Sequence, residues 1–514
     1  MRQGVARGVR TVMAATVVTA LVGCVAIVSE AAHAASPGEG TTGRDTALPA
    51  LPAYLTFTAG SRHIPPSFFG LSVEYNELGA YEQSGSVFDR AISLIRPRDG
   101  GPMLLRIGGK SADHVWWKAA TERPPKWVTK IGHPWLSRLN ELVRRDDLRV
   151  MLDLNLAVHS STLAATFAAA AVKALPRSAV AGLEVGNEPD LYWRQPPLEK
   201  QRIRSTGRGV PLHWTHNYSA LNYRRDYQVY AGGLATMVPG IPLGAGETIS
   251  SKPDWLAAVT GLGRLDPAFI AVHRYAASTC WPPSSPYYPT IPMLLGEASS
   301  AGLAGTVRGA VALAHSNHMA LRLTEVNSVS CGGNSGVTDS FATALWAPDA
   351  LFEMIRAGVD GVSWHIRPAT VNAPFHLDRG GITPLPELYG LAVFAQMTHG
   401  PARLLASTLV SSAGLHLKAW AVRKGAASTV LLINKGGRDA NVRLPAEAAT
   451  AGPAVVRRLQ APKIGSTTGL RFAGRWIGTD ARWHGREVTT EVPQSGGFYH
   501  VLVPAYSAAE VSLR

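Results

Sequence analysis

The sequence predicts an α/β fold: a (β/α)8 TIM barrel followed by a C-terminal antiparallel β-sandwich domain. Three observations carry this reading. Eight short, nearly continuous apolar runs alternate with helical stretches over residues 53–400, as a parallel sheet buried on both faces requires. Beyond about residue 400 the helical stretches stop, and short strand-like runs follow, cut by Gly, Pro, Asn and Asp, the pattern of a sandwich. Composition agrees: 514 residues, 46% hydrophobic and 17% charged, suffice for a large barrel with a smaller partner and exclude a disordered chain. The 51 glycines and 35 prolines follow no period, and only three cysteines are present. Collagen-like arrays, a disulfide-built scaffold and any four-cysteine metal site are thereby excluded.

The elements follow in order. Residues 2–10 are basic, 11–28 apolar and 29–36 small, the order of a secretory signal over 1–34 with cleavage after Ala32-His33-Ala34. Leu21-Val22-Gly23-Cys24 offers a competing lipoprotein signal with Cys24 as the lipid-bearing residue, and an uncleaved anchor is a third reading. A Gly/Pro-rich linker occupies 35–52, and 53–60 is a candidate strand of the β-domain. The barrel strands are expected at 68–75, 103–108, 149–156, 181–186, 241–246, 268–273, 320–326 and 361–365. Helices are expected at 134–145, 161–174, 304–316 and 340–357. The sandwich runs are 415–422, 428–434, 441–444, 454–460, 487–492 and 498–504, giving a β-domain over 401–514. No other segment approaches membrane-spanning length, so the expectation is a secreted, soluble mature chain with no stable membrane partner unless lipidated at Cys24. The formal charge is +14. Its arginines are scattered rather than blocked, which argues against a nucleic-acid partner and leaves attraction of acidic polysaccharide open.

C-terminal strand ends face the active site of such a barrel. Here they carry Glu74, Arg106, Asn155, Asn187-Glu188, His273 with Tyr275, Glu325 with Asn327, and Trp364-His365. Glu188 and Glu325 end the fourth and seventh strands, which lie across the barrel mouth. Two opposed carboxylates suit glycosidic bond hydrolysis: one gives a proton to the leaving oxygen, and the other, ionised, attacks or stabilises the anomeric carbon. Their surroundings must push their pKa values apart, and Arg106 is placed to hold Glu325 ionised. Asn187 is a candidate to bond a sugar hydroxyl, and Trp116, Trp117, Tyr275 and Trp364 are candidates to stack on sugar faces. Each feature alone is ordinary turn or core chemistry; their coincidence at separate strand ends points to catalysis.

The chain resembles glycoside hydrolase family 79, the family of β-glucuronidases and heparanase, and most of all its microbial β-glucuronidase branch. The carrying segments are Phe69–Tyr75, Leu105–Gly109, Glu184–Pro189, His273-Arg274-Tyr275 and Glu325–Gly333 with Ser340–Trp346. The likeness runs from about residue 53 to the C-terminus. It implies retaining hydrolysis with Glu188 as acid/base and Glu325 as nucleophile, no metal and no cofactor, and a glucuronate-containing oligo- or polysaccharide as substrate. It further implies that Gly332 and Gly333 lie in the loop that receives the glucuronate carboxylate. Glu74, Asp113, Asn187 and Tyr275 match positions that bind sugar hydroxyls or surround the nucleophile. The sequence departs from some members in having Ser330 where they place a tyrosine. A second family tyrosine has no counterpart in 366–376, and His365 and Arg367 are candidates to compensate.

Cys280 and Cys331 lie just beyond the sixth and seventh strands of an exported chain. A disulfide between them is expected, worth roughly 4 kcal/mol on chain-entropy grounds; two free buried thiols are the alternative. The leading expectation is an exo-β-glucuronidase. Heparanase-like endo action, a neutral-sugar exo-glycosidase and a non-catalytic glycan-binding protein are the alternatives. Zinc-protease, serine-hydrolase and phosphate-loop motifs are missing, and no G-x-G-x-x-G follows a strand.

Overall fold

A computed structural model describes residues 49–98, 101–124, 127–192, 218–249, 252–446 and 452–513. The expected signal, Cys24 and most of the expected linker lie outside the described residues. The first element of the described residues is strand β1 (Leu51–His63); a closed barrel follows from β2 (Phe69–Glu74), β3 (Met103–Gly108), β4 (Leu148–Leu154), β5 (Val180–Val185), β6 (Leu243–Thr248), β7 (Phe269–Ser278), β8 (Ala320–Ser330) and β9 (Gly361–His365). All eight barrel pairings are parallel, and β9 closes on β2 with Val362 opposite Phe69.

Outside the strands lie α1 (Ser86–Ile95), α2 (His133–Arg145), α3 (Ser161–Ala174), α4 (Ala220–Met237), α5 (Arg308–Ser316), α6 (Phe341–Ala357) and α7 (Pro386–Met397). α2 presents Trp135, Leu136, Leu139, Leu142 and Val143 to the sheet at helical spacing. α3 starts where Ser160 Oγ accepts the Leu163 N–H at 3.0 Å. The helix expected at 304–316 is broken into Ala301–Gly305 and α5. Among the described residues, no helix is long and apolar enough to cross a membrane.

The barrel interior is layered, because side chains alternate along each strand. At the foot, Phe269 packs with Leu104, Met151 and Ala271. Its ring lies so close to Gly244 that a Cβ there would sit 2.2 Å away. One pleat higher the same strands turn in Arg106, Asp153, Glu184 and His273. Two strands leave the period. Gly244 and Glu247 both face inward although three residues apart, and β6 shifts register against β7 between Gly246 and Thr248. Arg322 lines the foot cavity and Glu325 the top, and β8 shifts against β7 between Leu323 and Glu325. Each shift is a bulge that inserts one residue and re-aims the next side chain.

The β-domain is one curled, mostly antiparallel sheet. Its main strands are β10 (Arg403–Ser411), β11 (Leu417–Lys424), β12 (Ala427–Asn434), β13 (Ala440–Pro445), β14 (Ala454–Gln460), β15 (Phe498–Val503) and β16 (Ser507–Leu513), in the order β14-β16-β12-β11-β10-β1-β13-β15. β1 pairs antiparallel to β10 and parallel to β13, so Leu51 and Pro52 of the expected linker are already strand. The strands β10 and β16 are absent from the runs read in the sequence, and 487–492 yields strand only over Thr490–Val492. Ala53, Leu55, Val430, Leu432, Val442 and Val511 fill the enclosed core. At the seam with the barrel, Asp349 on α6 is fully buried. It accepts from Lys435 Nζ at 2.5 Å and Trp420 Nε1 at 2.8 Å.

Candidate active site

The site grows from the charged layer. Arg106, fully buried, donates to Glu325 Oε2 at 3.1 Å, Glu184 Oε2 at 2.9 Å, Asp153 Oδ2 at 3.2 Å, Glu247 Oε2 at 2.6 Å, Asn187 Oδ1 at 3.2 Å and Ser72 Oγ at 3.3 Å. A planar guanidinium with five N–H groups is suited to such a hub. Tyr275 donates its hydroxyl to Glu325 Oε1 at 2.6 Å, and the His365 ring lies 3.7 Å from Oε2. Across the mouth, His273 Nδ1 is 3.0 Å from Glu188 Oε1. One oxygen of Glu188, one ring nitrogen of His273 and one oxygen of Glu325 all lie within 4.8 Å of one another.

Exposure separates the carboxyl groups by task. The side chains of Glu188 and Glu325 keep 21% and 11% of their surface open, whereas those of Asp153, Glu184 and Glu247 keep none. Glu188 adopts φ 49°, ψ 52°, a left-handed conformation uncommon outside glycine, immediately before Pro189. Burial pushes Glu188 above the ordinary carboxylate range; His273 opposes this, and Glu325 and Asp190 reinforce it. Burial alone would also raise Glu325, but the charges of His365, His273 and Arg106 and the Tyr275 hydroxyl override it and bring it to about 2. Burial would lower His273, yet Glu325, Glu188 and Glu247 hold it at about 10. The site thus keeps one carboxyl inclined to hold its proton and faces it with one that is ionised. The Glu188–His273–Glu325 triangle has the donor types of a metal site. Both ring nitrogens of His273 face carboxylates, however, so a metal would have to displace the proton shared with Glu188.

The remaining expected residues are distributed around this pair. Asp113 is buried; it accepts the Tyr192 hydroxyl at 2.8 and 2.9 Å and backbone N–H groups of Ala157, Leu156 and Asn187, which fixes the turn carrying Asn187 and Glu188. Glu74 accepts the Ser111 N–H at 2.8 Å. Gly332 and Gly333 follow β8 with φ +91° and +85°, and a Cβ on Gly333 would meet Val371 at 2.8 Å, so this loop requires glycine there. Cys280 and Cys331 are bonded, with Cα atoms 5.9 Å apart, and tie that loop to the one after β7. Three aromatic expectations are corrected. Trp364 is fully buried against Trp346, with centroids 5.5 Å apart, and Trp116 and Trp117 are also buried in the core. Trp364 sits on the outward face of a barrel strand and packs under the helices, while Trp116 and Trp117 belong to a short strand, Val115–Trp117, in a separate two-stranded sheet, so none offers a face to a ligand. Tyr275 stays partly open. Arg106 is likewise too deep to touch substrate and acts through Glu325. Arg367 donates to Glu77 Oε1 at 2.9 Å.

Glu247 was not legible. The fifth strand reads as ending at Gly246, and period-two alternation turns residue 247 outward. A glycine pair inside a strand, Gly244 and Gly246, is the one local sign of the bulge. Tyr192 carried no sign at all.

The sequence matches no protein-family model and none of the curated proteins. Among solved structures, the fold is similar to a 4-O-α-L-rhamnosyl-β-D-glucuronidase from Fusarium oxysporum 12S, with TM-score 0.70 and 17% identity over 91% of this chain and 99% of that one. It is similar to a GH51 arabinofuranosidase from Xanthomonas axonopodis pv. citri, with TM-score 0.61 and 13% identity over 90% of this chain and 100% of that one. CelM2, a bifunctional glucanase-xylanase from a metagenome library, gives TM-score 0.59 and 13% identity over 91% and 99%. At these identities the likeness establishes the fold: a parallel eight-stranded barrel with an attached β-domain.

Proposed function

We propose that the chain is an exported retaining glycoside hydrolase that removes terminal β-linked glucuronate from glycans, in the manner of the family 79 enzymes it resembles. The observation that carries the chemistry is the facing pair: oxygens of Glu188 and Glu325 within 4.8 Å, one carboxyl pushed up and the other down to about 2. That spacing leaves no room for a water between carboxylate and sugar, which favours double displacement over inversion. Glu325 attacks the anomeric carbon as the bond to the leaving oxygen breaks, and Glu188 gives that oxygen its proton. Glu188 then takes a proton from water, whose oxygen displaces Glu325 and frees the sugar.

Three features support glucuronate. The first neighbour named above is a glucuronidase, solved with Rha-GlcA. The glycine loop after Glu325 is pinned in place by the disulfide. The positive net charge attracts anionic glycans. A neutral sugar is the second reading, favoured by Ser330. Export is supported by the disulfide, which persists in oxidising compartments; N-terminal sequencing is expected to begin at Ala35, and a modified Cys24 would make the chain a lipoprotein instead. The deciding assay compares aryl β-glucuronide with β-glucoside and β-xyloside. We expect kcat/KM to favour the glucuronide at least roughly tenfold, the worth of one good ionic contact. Equal turnover of glucoside removes the substrate and leaves the mechanism, and no turnover of any removes both. Oligosaccharide products separate exo from endo action.

A further inference from the structure

We infer that Glu247 is a positioning residue that couples the two facing carboxylates, seating Arg106 beneath Glu325 and His273 beneath Glu188. This deepens the glycosidase reading and rests on it. Three contacts converge on Glu247, and none is with the cleft. Its Oε2 is 2.6 Å from Arg106 Nη2 and 3.4 Å from His273 Nε2. Its backbone carbonyl accepts the Glu188 N–H at 3.1 Å. The residue is fully buried and held at φ 48° by the β6 bulge. Such a conformation costs on the order of 1 kcal/mol or more in general and persists where its surroundings over-determine it.

The groups facing Glu247 are Arg106 on β3, Asp153 on β4, Glu184 on β5, His273 on β7 and Tyr223 on α4. Glu184 and Glu247 lie close enough for the charge of one to act on the other, and each keeps its Oε1 buried without a partner among the described residues. Burial, then the Glu247 charge, drive Glu184 and Asp153 upward, so they keep their protons. Glu247, against Arg106 and His273, is held below the ordinary range and carries the negative charge of the three. His273 therefore has one carboxylate hydrogen-bonded at Nδ1 and a second within ion-pair distance of Nε2, and the two together hold it as an imidazolium. The consequence is functional. Glu188 must be an acid in one half-reaction and a base in the next, and a partner that kept exchanging its own proton would blur that change. A locked imidazolium lets Glu188 titrate alone.

The test is NMR of the histidine ring nitrogens in the full-length protein, with His273 assigned from the spectrum of His273→Gln. In the wild type, His273 is expected to remain an imidazolium up to about pH 9. In Glu247→Gln it is expected to titrate below that pH. The basic limb of kcat/KM is then expected to move to higher pH, because Glu188 loses the cation that eases its ionisation. Glu184→Gln replaces an already protonated carboxyl by an amide of the same shape and is expected to leave the His273 titration in place. Identical His273 titration in wild type and Glu247→Gln overturns the inference, as does Glu184→Gln reproducing the effect of Glu247→Gln. If Glu247→Gln does not fold, the wild type decides: a His273 that titrates near its ordinary range, about pH 6.5, overturns the inference. An active enzyme with neutral His273 sinks this inference alone; an inactive one with a locked imidazolium sinks the glycosidase reading and leaves the coupling.

Discussion

Glu188 and Glu325 have the same side chain and opposite tendencies, and the difference lies in what each touches. Glu325 has Arg106 and Tyr275 on its two oxygens; Glu188 has one histidine and a buried, left-handed turn that also carries Asp190. Their substitutions should therefore separate by leaving group. Glu188→Gln is expected to lose roughly 100- to 10,000-fold in kcat/KM on a substrate with a poor leaving group, because the proton donor is gone. It should lose little on a dinitrophenyl glycoside, whose leaving group needs no proton. Glu325→Gln should abolish turnover of both, and a 2-fluoro sugar should label Glu325 in the parent. Parallel losses for both substrates in Glu188→Gln would contradict the assigned roles. The pH profile follows from the same contacts. The active form has Glu325 ionised and Glu188 protonated, so the acid limb falls toward about 2 and the basic limb tracks the raised Glu188. Removing the His273 cation makes both carboxylates harder to ionise. His273→Gln should thus shift both limbs of kcat/KM to higher pH, and unmoved limbs would show that His273 is neutral.

The elements that carry these residues depart from regularity at the points where chemistry is needed. The bulges in β6 and β8 turn Glu247 and Glu325 inward, and the left-handed turn after β5 presents Glu188. The loop after β8 is bounded by the Cys280–Cys331 bond across a separation of 51 residues. Replacing both cysteines by alanine should lower stability by up to about 4 kcal/mol, measured by denaturant unfolding under non-reducing conditions. Because the bond restrains Gly332 and Gly333 rather than the carboxylates, KM should rise more than kcat falls. A fall in kcat alone would place the restraint on the catalytic pair instead. The elements read most accurately from sequence were those whose apolar residues face a neighbouring layer, such as α2, α3 and the core of each barrel strand. Those missed, β10 and β16, failed for different reasons. β10 is largely exposed or half-buried, so Arg403–Ser411 shows no clean alternation, whereas β16 is nearly all buried but built from Ser507, Ala508, Ala509 and Glu510, which do not read as an apolar run.

At the scale of the molecule, the described residues run from β1 in the β-domain through the barrel and back, so the β-domain sheet draws strands from both sides of the barrel in sequence. Among the described residues β1 pairs with strands of the C-terminal region, and Asp349 of the barrel accepts from Lys435 and Trp420 of the β-domain. A chain ending at residue 400 should fail to fold, as judged by loss of near-ultraviolet circular dichroism. Lys435→Met should cost up to about 3–5 kcal/mol, because the buried Asp349 carboxylate is left with the more distant Lys418, 4.0 Å away, as its positive neighbour. A second whole-molecule consequence concerns pH. Burial raises Asp113 to about 7 and Glu387 to about 8, and neighbouring carboxylates raise His273 to about 10. All three bind protons more tightly in the folded chain than in the unfolded one. The carboxyl contributions are complete below their unfolded values and are lost as pH rises through 7–8; that of His273 is lost toward 10. Tm should therefore fall from about pH 5 to about pH 9, and a rise over that window would contradict the protonation pattern described here. The sequence by itself determined the barrel, its attached β-domain, the facing glutamates and the arginine and histidine that serve them, because strand period and strand-end polarity are local properties. Only the tertiary structure decided that Glu247 joins them, that Arg106 also binds Asp153 and Glu184, and that Trp364 belongs to the core. Bulges and the packing of one layer over another set which way a side chain turns, and neither is written in the spacing of residues along one strand.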